Sequence, residues 1–249
     1  MLEEILKSDA ERMKDFIKVY QDPTSSKDDK YEALDGLQEL TENLDNANDL
    51  HKINGLIPMV DALDEEDPEI QMRAGWILAS LVTNNEAMQK LFAQLNIMDK
   101  VIALLKRTDD AAVRSKLIST VSGFVKNFPA GLELFKQHDG FSSLQGVLET
   151  NETASKRKVL FLLSQLLQEG ADLKTHLQPI IPLVIKQLKV DDVDIQEKAL
   201  ILLANLSRDH EENQNKIKEQ ANEIREYNKT APTEHELLTE SLNTLLKFI

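Results

Sequence analysis

The chain has 249 residues, 41% hydrophobic but only 5% aromatic, with 8 glycines, 7 prolines and no cysteine. That balance argues against a sheet-rich fold, and the missing cysteine excludes disulfides and thiolate metal sites. Its 43 acidic and 29 basic residues leave a net charge of −14, a field that repels nucleic acid and anionic lipid.

The charged start MLEEILKSDAERMK has the character of neither a secretory signal nor a transit peptide. No run reaches the roughly twenty apolar residues that a membrane helix needs. A cytoplasmic protein is the expectation, with the endoplasmic-reticulum lumen as the alternative if a signal has been removed. Ser8 and Glu11 form a capping-box pattern ahead of an amphipathic stretch, which predicts an N-terminal helical cap over 1–28.

From there a repeat governs the sequence. DKYEALDGLQEL (29–40) is a degenerate first copy, followed by IQMRAGWILASL (70–81), VRSKLISTVSGF (113–124), SKRKVLFLLSQL (155–166) and IQEKALILLANL (195–206). A period of about forty residues with purely helical texture predicts stacked helical repeats of the armadillo or HEAT kind. The expected fold is all-α, a right-handed superhelical solenoid with helical caps. It reads as one armadillo-like domain over 1–249, with repeats over 29–208 and a polar helix plus a capping helix over 209–249. A second capping-box pattern, Thr233 to Glu236, opens that last helix.

Helix geometry assigns the faces. The fourth residue of each full copy is basic: Arg73, Lys116, Lys158 and Lys198. Positions +1, +4, +5 and +8 from it share one face at about 100° per residue and are apolar throughout, except Thr120. Positions 0, +3 and +7 form a mixed stripe that the core does not need. It contains Arg73, Trp76 and Ser80; Lys116 and Ser119; Lys158, Phe161 and Gln165; Lys198 and Asn205. In a solenoid such a stripe lines the groove, so these are the candidate partner-binding residues. Trp76 also reads as a partly buried structural tryptophan, and the basic ladder as solvated charge. On the first copy the same stripe is acidic, with Glu32, Asp35 and Glu39.

Between the first two copies lies ENLDNANDL (42–50). Asp45 or Asn46 is expected to cap the following helix and Asn43 to help end the preceding one. Nucleotide-binding glycine loops, nucleophile elbows and zinc-protease signatures are missing, and the five histidines lie far apart. No catalytic residue, metal site or cofactor is expected, and the expectation is a protein that is not an enzyme.

YEALDGLQELTENLDNANDL, RAGWILASLVTNN, NFPAGLELFKQHDGFSSL and SKRKVLFLLSQLL together resemble the armadillo-type nucleotide exchange factors of heat-shock-70 chaperones, the cytosolic branch more than the endoplasmic-reticulum branch. The similarity runs from about Lys30 to Gly170 and more loosely to Ile249. It implies a monomeric co-chaperone whose groove holds the second lobe of the chaperone's ATPase domain and speeds ADP release. It further implies that Asn46, Ala47 and Asn48 make the first-junction contact, and that Lys158 is a basic groove residue. Cytosolic relatives often carry a further N-terminal segment, and only about thirty residues precede the first copy here. Two other readings use the same fold without exchange activity: a passive armadillo scaffold, and a cargo-binding adaptor of the nuclear-import type. The adaptor reading wants a repeated Trp and Asn ladder in an acidic groove, which this stripe lacks.

Overall fold

The computed structural model describes residues 7–168, 173–232, 234–247 and 249, and all regular structure among them is helical. Two compact units divide the chain, one ending at Gly140 and one beginning at Phe141.

The first unit opens with α1 (Asp9–Gln21) and α2 (Lys27–Thr41), continues through α3 (Leu44–Lys52), α4 (Leu56–Asp61), α5 (Pro68–Val82), α6 (Glu86–Gln94), α7 (Ile97–Arg107) and α8 (Ala111–Val125), and closes with α9 (Pro129–Gln137). Each repeat is thus two short helices and one long one. The breaks between helices are chemically marked. Ser8 and Ser26 close full capping boxes with Glu11 and Asp29. Asp67 and Asp110 cap the long helices α5 and α8, and Pro68 sits at the first position of α5, where a missing N–H costs nothing. The tight corners use Asn54, Asn84, Asn96, Asn127 and Asp139 in the left-handed region, with φ between 51 and 62°. Asparagine and aspartate tolerate that conformation better than other non-glycine residues.

The long helices α2, α5 and α8 lie side by side, and their apolar faces form the core. Ala74, Ile77, Leu78 and Leu81 are all buried, as are Leu117, Val121 and Phe124. Thr120, the exception in the pattern, is buried as well: its hydroxyl donates to the Gly75 carbonyl at 3.0 Å, across to the neighbouring helix. A side chain on Gly75 would bring its Cβ to 3.3 Å from Lys116 Cβ, so glycine is what lets α5 and α8 approach so closely.

The second unit contains α10 (Gly140–Glu149, whose first residue belongs to the first unit), α11 (Thr153–Gln168), α12 (Ile181–Lys186) continued by a 3-10 turn, α13 (Val193–Ser207), α14 (Glu211–Lys218), α15 (Ala221–Asn228) and α16 (Glu236–Leu246). Here α11, α13 and α16 are the adjacent long helices. The polar stretch after Asp209 forms two short helices, α14 and α15, so that α14–α16 repeat the short-short-long plan of the preceding copies. Leu238, Leu242 and Leu245 of α16 are buried at the spacing that Val113, Leu117 and Thr120 follow on α8, which puts Ser241 in the slot of the basic ladder. The capping box expected at Thr233 lies outside the described residues. His235 occupies the cap position and makes no side-chain capping bond.

Candidate partner-binding surface

In the first unit the stripe forms a continuous strip across three helices. On α2, Glu32, Asp35 and Glu39 are exposed. Arg73 of α5 does not project freely from the next helix. Its Nε donates to Asp35 Oδ1 at 2.9 Å, its Nη1 donates to the Glu69 carbonyl at 3.2 Å and pairs with the Glu69 carboxylate, and the guanidinium stands 4.7 Å from the Tyr31 ring centre. Tyr31 is anchored in turn, donating to Asp67 Oδ2 at 2.7 Å. Arg73 is therefore a clamp between α2 and α5 as well as a stripe residue.

Trp76 is 38% exposed, and Lys116 Nζ from α8 lies 3.2 Å from its ring centre. A cation over an indole face is attracted by the ring quadrupole, which orders both side chains before any partner arrives. Ser80 and Ser119 flank this pair and are half-buried, Ser119 donating back to the Ser115 carbonyl at 3.1 Å. The result is an aromatic-cationic centre beside an acidic edge.

The junction residues behave differently from expectation. Ala47 is only 1% exposed, so its methyl belongs to the core and offers a partner no surface. This corrects the contact role implied for it. Asn43, rather than Asp45 or Asn46, is the cap of α3: its Oδ1 accepts from the Asp45 and Asn46 amides at 2.9 and 3.3 Å. Asn46 donates from Nδ2 to Asp9 and to the Leu40 carbonyl, both at 3.0 Å, while Asn48 Oδ1 accepts from Asn85 at 3.1 Å. Asn46 and Asn48 are half-buried bolts that hold the junction together.

In the second unit Phe161 is 52% exposed, while Gln165 and Asn205 are half-buried. Lys198 is held in an ion pair with Asp194 one turn earlier. Lys158 is half-buried, and burial pushes its ammonium below the ordinary lysine range. Its neighbour Lys156 is more deeply enclosed, with Gln187 Oε1 accepting its proton at 2.9 Å, and is lowered by the same cause.

These two lysines give the stability a sign. Each holds its proton less tightly folded than unfolded, so the unfolded chain binds more protons below the ordinary lysine pKa, and stability should rise with pH there. The slope is at most about 1.4 kcal/mol per pH unit for each group. Tyr20 and Tyr227, pushed up to about 12 by burial, act oppositely once the pH passes the ordinary tyrosine value. Urea midpoints should therefore climb as the pH approaches the ordinary lysine value from below, and Lys156→Met should flatten that climb.

Sequence reasoning missed Tyr31, Asn85 and Gln89. Gln89 donates to the Gly123 and Lys126 carbonyls at 2.7 and 3.1 Å, closing the end of α8. Most of these partners lie nearly one repeat away from the residues they hold, and that spacing is the signal that could have found them.

The nucleotide exchange factor Fes1 family model matches residues 1–50, and the SIL1/FES1/HPBP1 C-terminal domain model matches residues 46–180. The Hsp70 nucleotide exchange factor FES1 of Mycosarcoma maydis is 32% identical over 161 residues, covering 65% of this chain and 41% of that protein. The FES1 of Coccidioides immitis is 33% identical over 126 residues, 51% of this chain and 59% of that protein. The FES1 of Yarrowia lipolytica is 29% identical over 205 residues, 80% of this chain and 73% of that protein. The chain thus spans about half the length of the first two. Among solved structures, an engineered protein superposes with a TM-score of 0.79 at 14% identity, over 94% of this chain and 97% of that one. A computationally designed armadillo repeat protein gives 0.76 at 16% identity, over 95% and 99%. The fold is an armadillo-like α-solenoid, and the chain belongs to the SIL1/FES1/HPBP1 family.

Proposed function

We propose that this protein is a co-chaperone that binds the ATPase domain of a heat-shock-70 chaperone and accelerates ADP release. The observation that carries the reading is the match of residues 46–180 to the SIL1/FES1/HPBP1 model, since it contains Trp76, Lys116 and Lys158. The exposed Trp76, ordered by Lys116, supports it, because tryptophan is among the side chains that dominate interface energetics. The partner surface is the second lobe of the ATPase domain, met by a monomer of this chain in the cytoplasm.

No chemistry by the protein's own residues is required. Exchange is driven by a difference in affinity: the factor binds the open nucleotide cleft more tightly than the closed one, and only that difference shifts the equilibrium. No helix among the described residues is long and apolar enough to cross a membrane.

The test is the release rate of fluorescent ADP from a heat-shock-70 ATPase domain, followed with and without this protein under an excess of unlabelled ATP. Acceleration that saturates with concentration is the expected result. An unchanged rate at saturating protein, with binding still present, would leave an armadillo scaffold in its place.

A further inference from the structure

A cleft of about 640 Å³ opens in the second unit between the 3-10 turn Gln187–Lys189, the start of α13 and α15. Its floor is apolar, formed by buried Ile185, Leu188 and Tyr227. Its rim is acidic, with Asp191, Glu223 and Glu226, of which Glu223 is paired to Lys189 at 2.6 Å and Glu226 to Lys229 at 2.5 Å. The size is that of a ligand pocket, and no stripe residue reaches it.

The first unit contains the same construction with the space filled. Gln71 Nε2 donates to the Glu65 carbonyl at 2.6 Å, and Gln196 Nε2 donates to the Val190 carbonyl at 2.8 Å. The two glutamines occupy the same place in their repeats, two residues before Arg73 and Lys198, and so fix Leu63 and Leu188 as equivalent positions. In the first unit Arg107 donates from Nη2 to the Leu63 carbonyl at 3.2 Å and lies 3.5 Å from Asp64. Arg107 stands three residues before Asp110, the cap of α8; three residues before His235, the cap of α16, stands Pro232. Helix α7 runs up to Arg107, whereas α15 stops at Asn228, well short of its following cap. The last helical turn, which in α7 carries buried Leu104 and Leu105 together with Arg107, is thus missing from the last repeat. Leu188 and Pro232, the counterparts of Arg107's acceptor and of Arg107 itself, both line the cleft.

We infer that this cleft is a docking site for a peptide segment of a partner protein that carries an aliphatic side chain followed by a basic one. Its aliphatic group lies on the Ile185 and Tyr227 floor. Its cation takes the place that Arg107 fills in the first unit, donating to the Leu188 carbonyl beside Asp191. With Glu223 and Glu226 paired to lysines, Asp191 leaves the rim with the negative charge that selects a cation, and the filled sister site shows which side chains fit. The inference does not rest on the exchange reading, and ADP release, measured on the same variants, separates the two.

The probe is the fluorescein-labelled peptide Val-Ile-Ala-Leu-Leu-Lys-Arg, the chain's own residues 101–107, read by fluorescence anisotropy. The full chain should bind it saturably. Asp191→Lys with Glu226→Lys should weaken binding at least about tenfold, since like charge across a contact is repulsive. Pro232→Arg should abolish it by supplying the arginine in cis, and circular dichroism verifies that this variant is folded. A peptide with glutamates in place of its lysine and arginine should not bind. Absence of saturable binding to the unmodified chain would overturn the inference. So would equal binding by the charge-reversed variant or by the acidic peptide, which would mark simple apolar adhesion.

Discussion

Ala47→Arg is expected to unfold the first junction, costing about 4 kcal/mol or more. Ala47 is 1% exposed, its amide donates to the Asn43 carbonyl at 2.9 Å, and its neighbours Asn46 and Asn48 are bonded on either side. An arginine here must either bury a guanidinium without a counter-charge or lever α3 away from the helices it packs on. Both routes break the bonds from Asn46 to Leu40 and from Asn48 to Asn85. For a unit of this size the loss corresponds to a fall in melting temperature of about 8 °C or more. Ala47→Ser, with nearly the same volume, should cost about 1 kcal/mol, the price of one buried hydroxyl. Thermal melts by circular dichroism distinguish the two. A normal melt for Ala47→Arg combined with lost chaperone binding would return Ala47 to the surface and restore the contact role that the family resemblance implies.

The junction shows where sequence reading stops. Its helical period was legible because the apolar positions of Ala74, Leu117, Val159 and Ala199 recur at one phase, and burial follows directly from that phase. The stripe was legible for the same reason: what the core does not claim must face outward or sideways, and Trp76 and Phe161 do face solvent. What the period could not supply was the pairing of side chains between copies. Arg73 looked like a free groove cation, yet Asp35 and Glu69 hold it, and Lys198 is held by Asp194. Such pairs depend on rotamers and on the lateral offset of adjacent helices, neither of which a one-dimensional pattern encodes. Asn43 and Asn46 were exchanged in role because either can cap a helix, and the backbone alone decides which does. The left-handed corners were readable in principle: Asn54, Asn96 and Asp139 recur at the repeat spacing, as do Asn84 and Asn127.

With Arg73 and Lys198 already neutralised within the chain, the binding energy of the proposed interface should reside mainly in its aromatic residues. Trp76→Ala is expected to weaken binding to a heat-shock-70 ATPase domain by about 2 kcal/mol, roughly thirtyfold in Kd, and to lower the ADP release rate in proportion at subsaturating protein. The effect should run through the cation–π pair. Lys116→Met alone should cost about 1 kcal/mol, and in combination with Trp76→Ala less than the sum, because the lysine has lost the ring that orders it. Salt should weaken the complex only modestly, since charges that already have partners in the free protein gain little on binding. Titration calorimetry at two ionic strengths on the two single variants and the double variant reads all of these together. A steep salt dependence with unchanged affinity in Trp76→Ala would place the energy in the basic ladder, and the aromatic pair would then be a brace between α5 and α8 and nothing more.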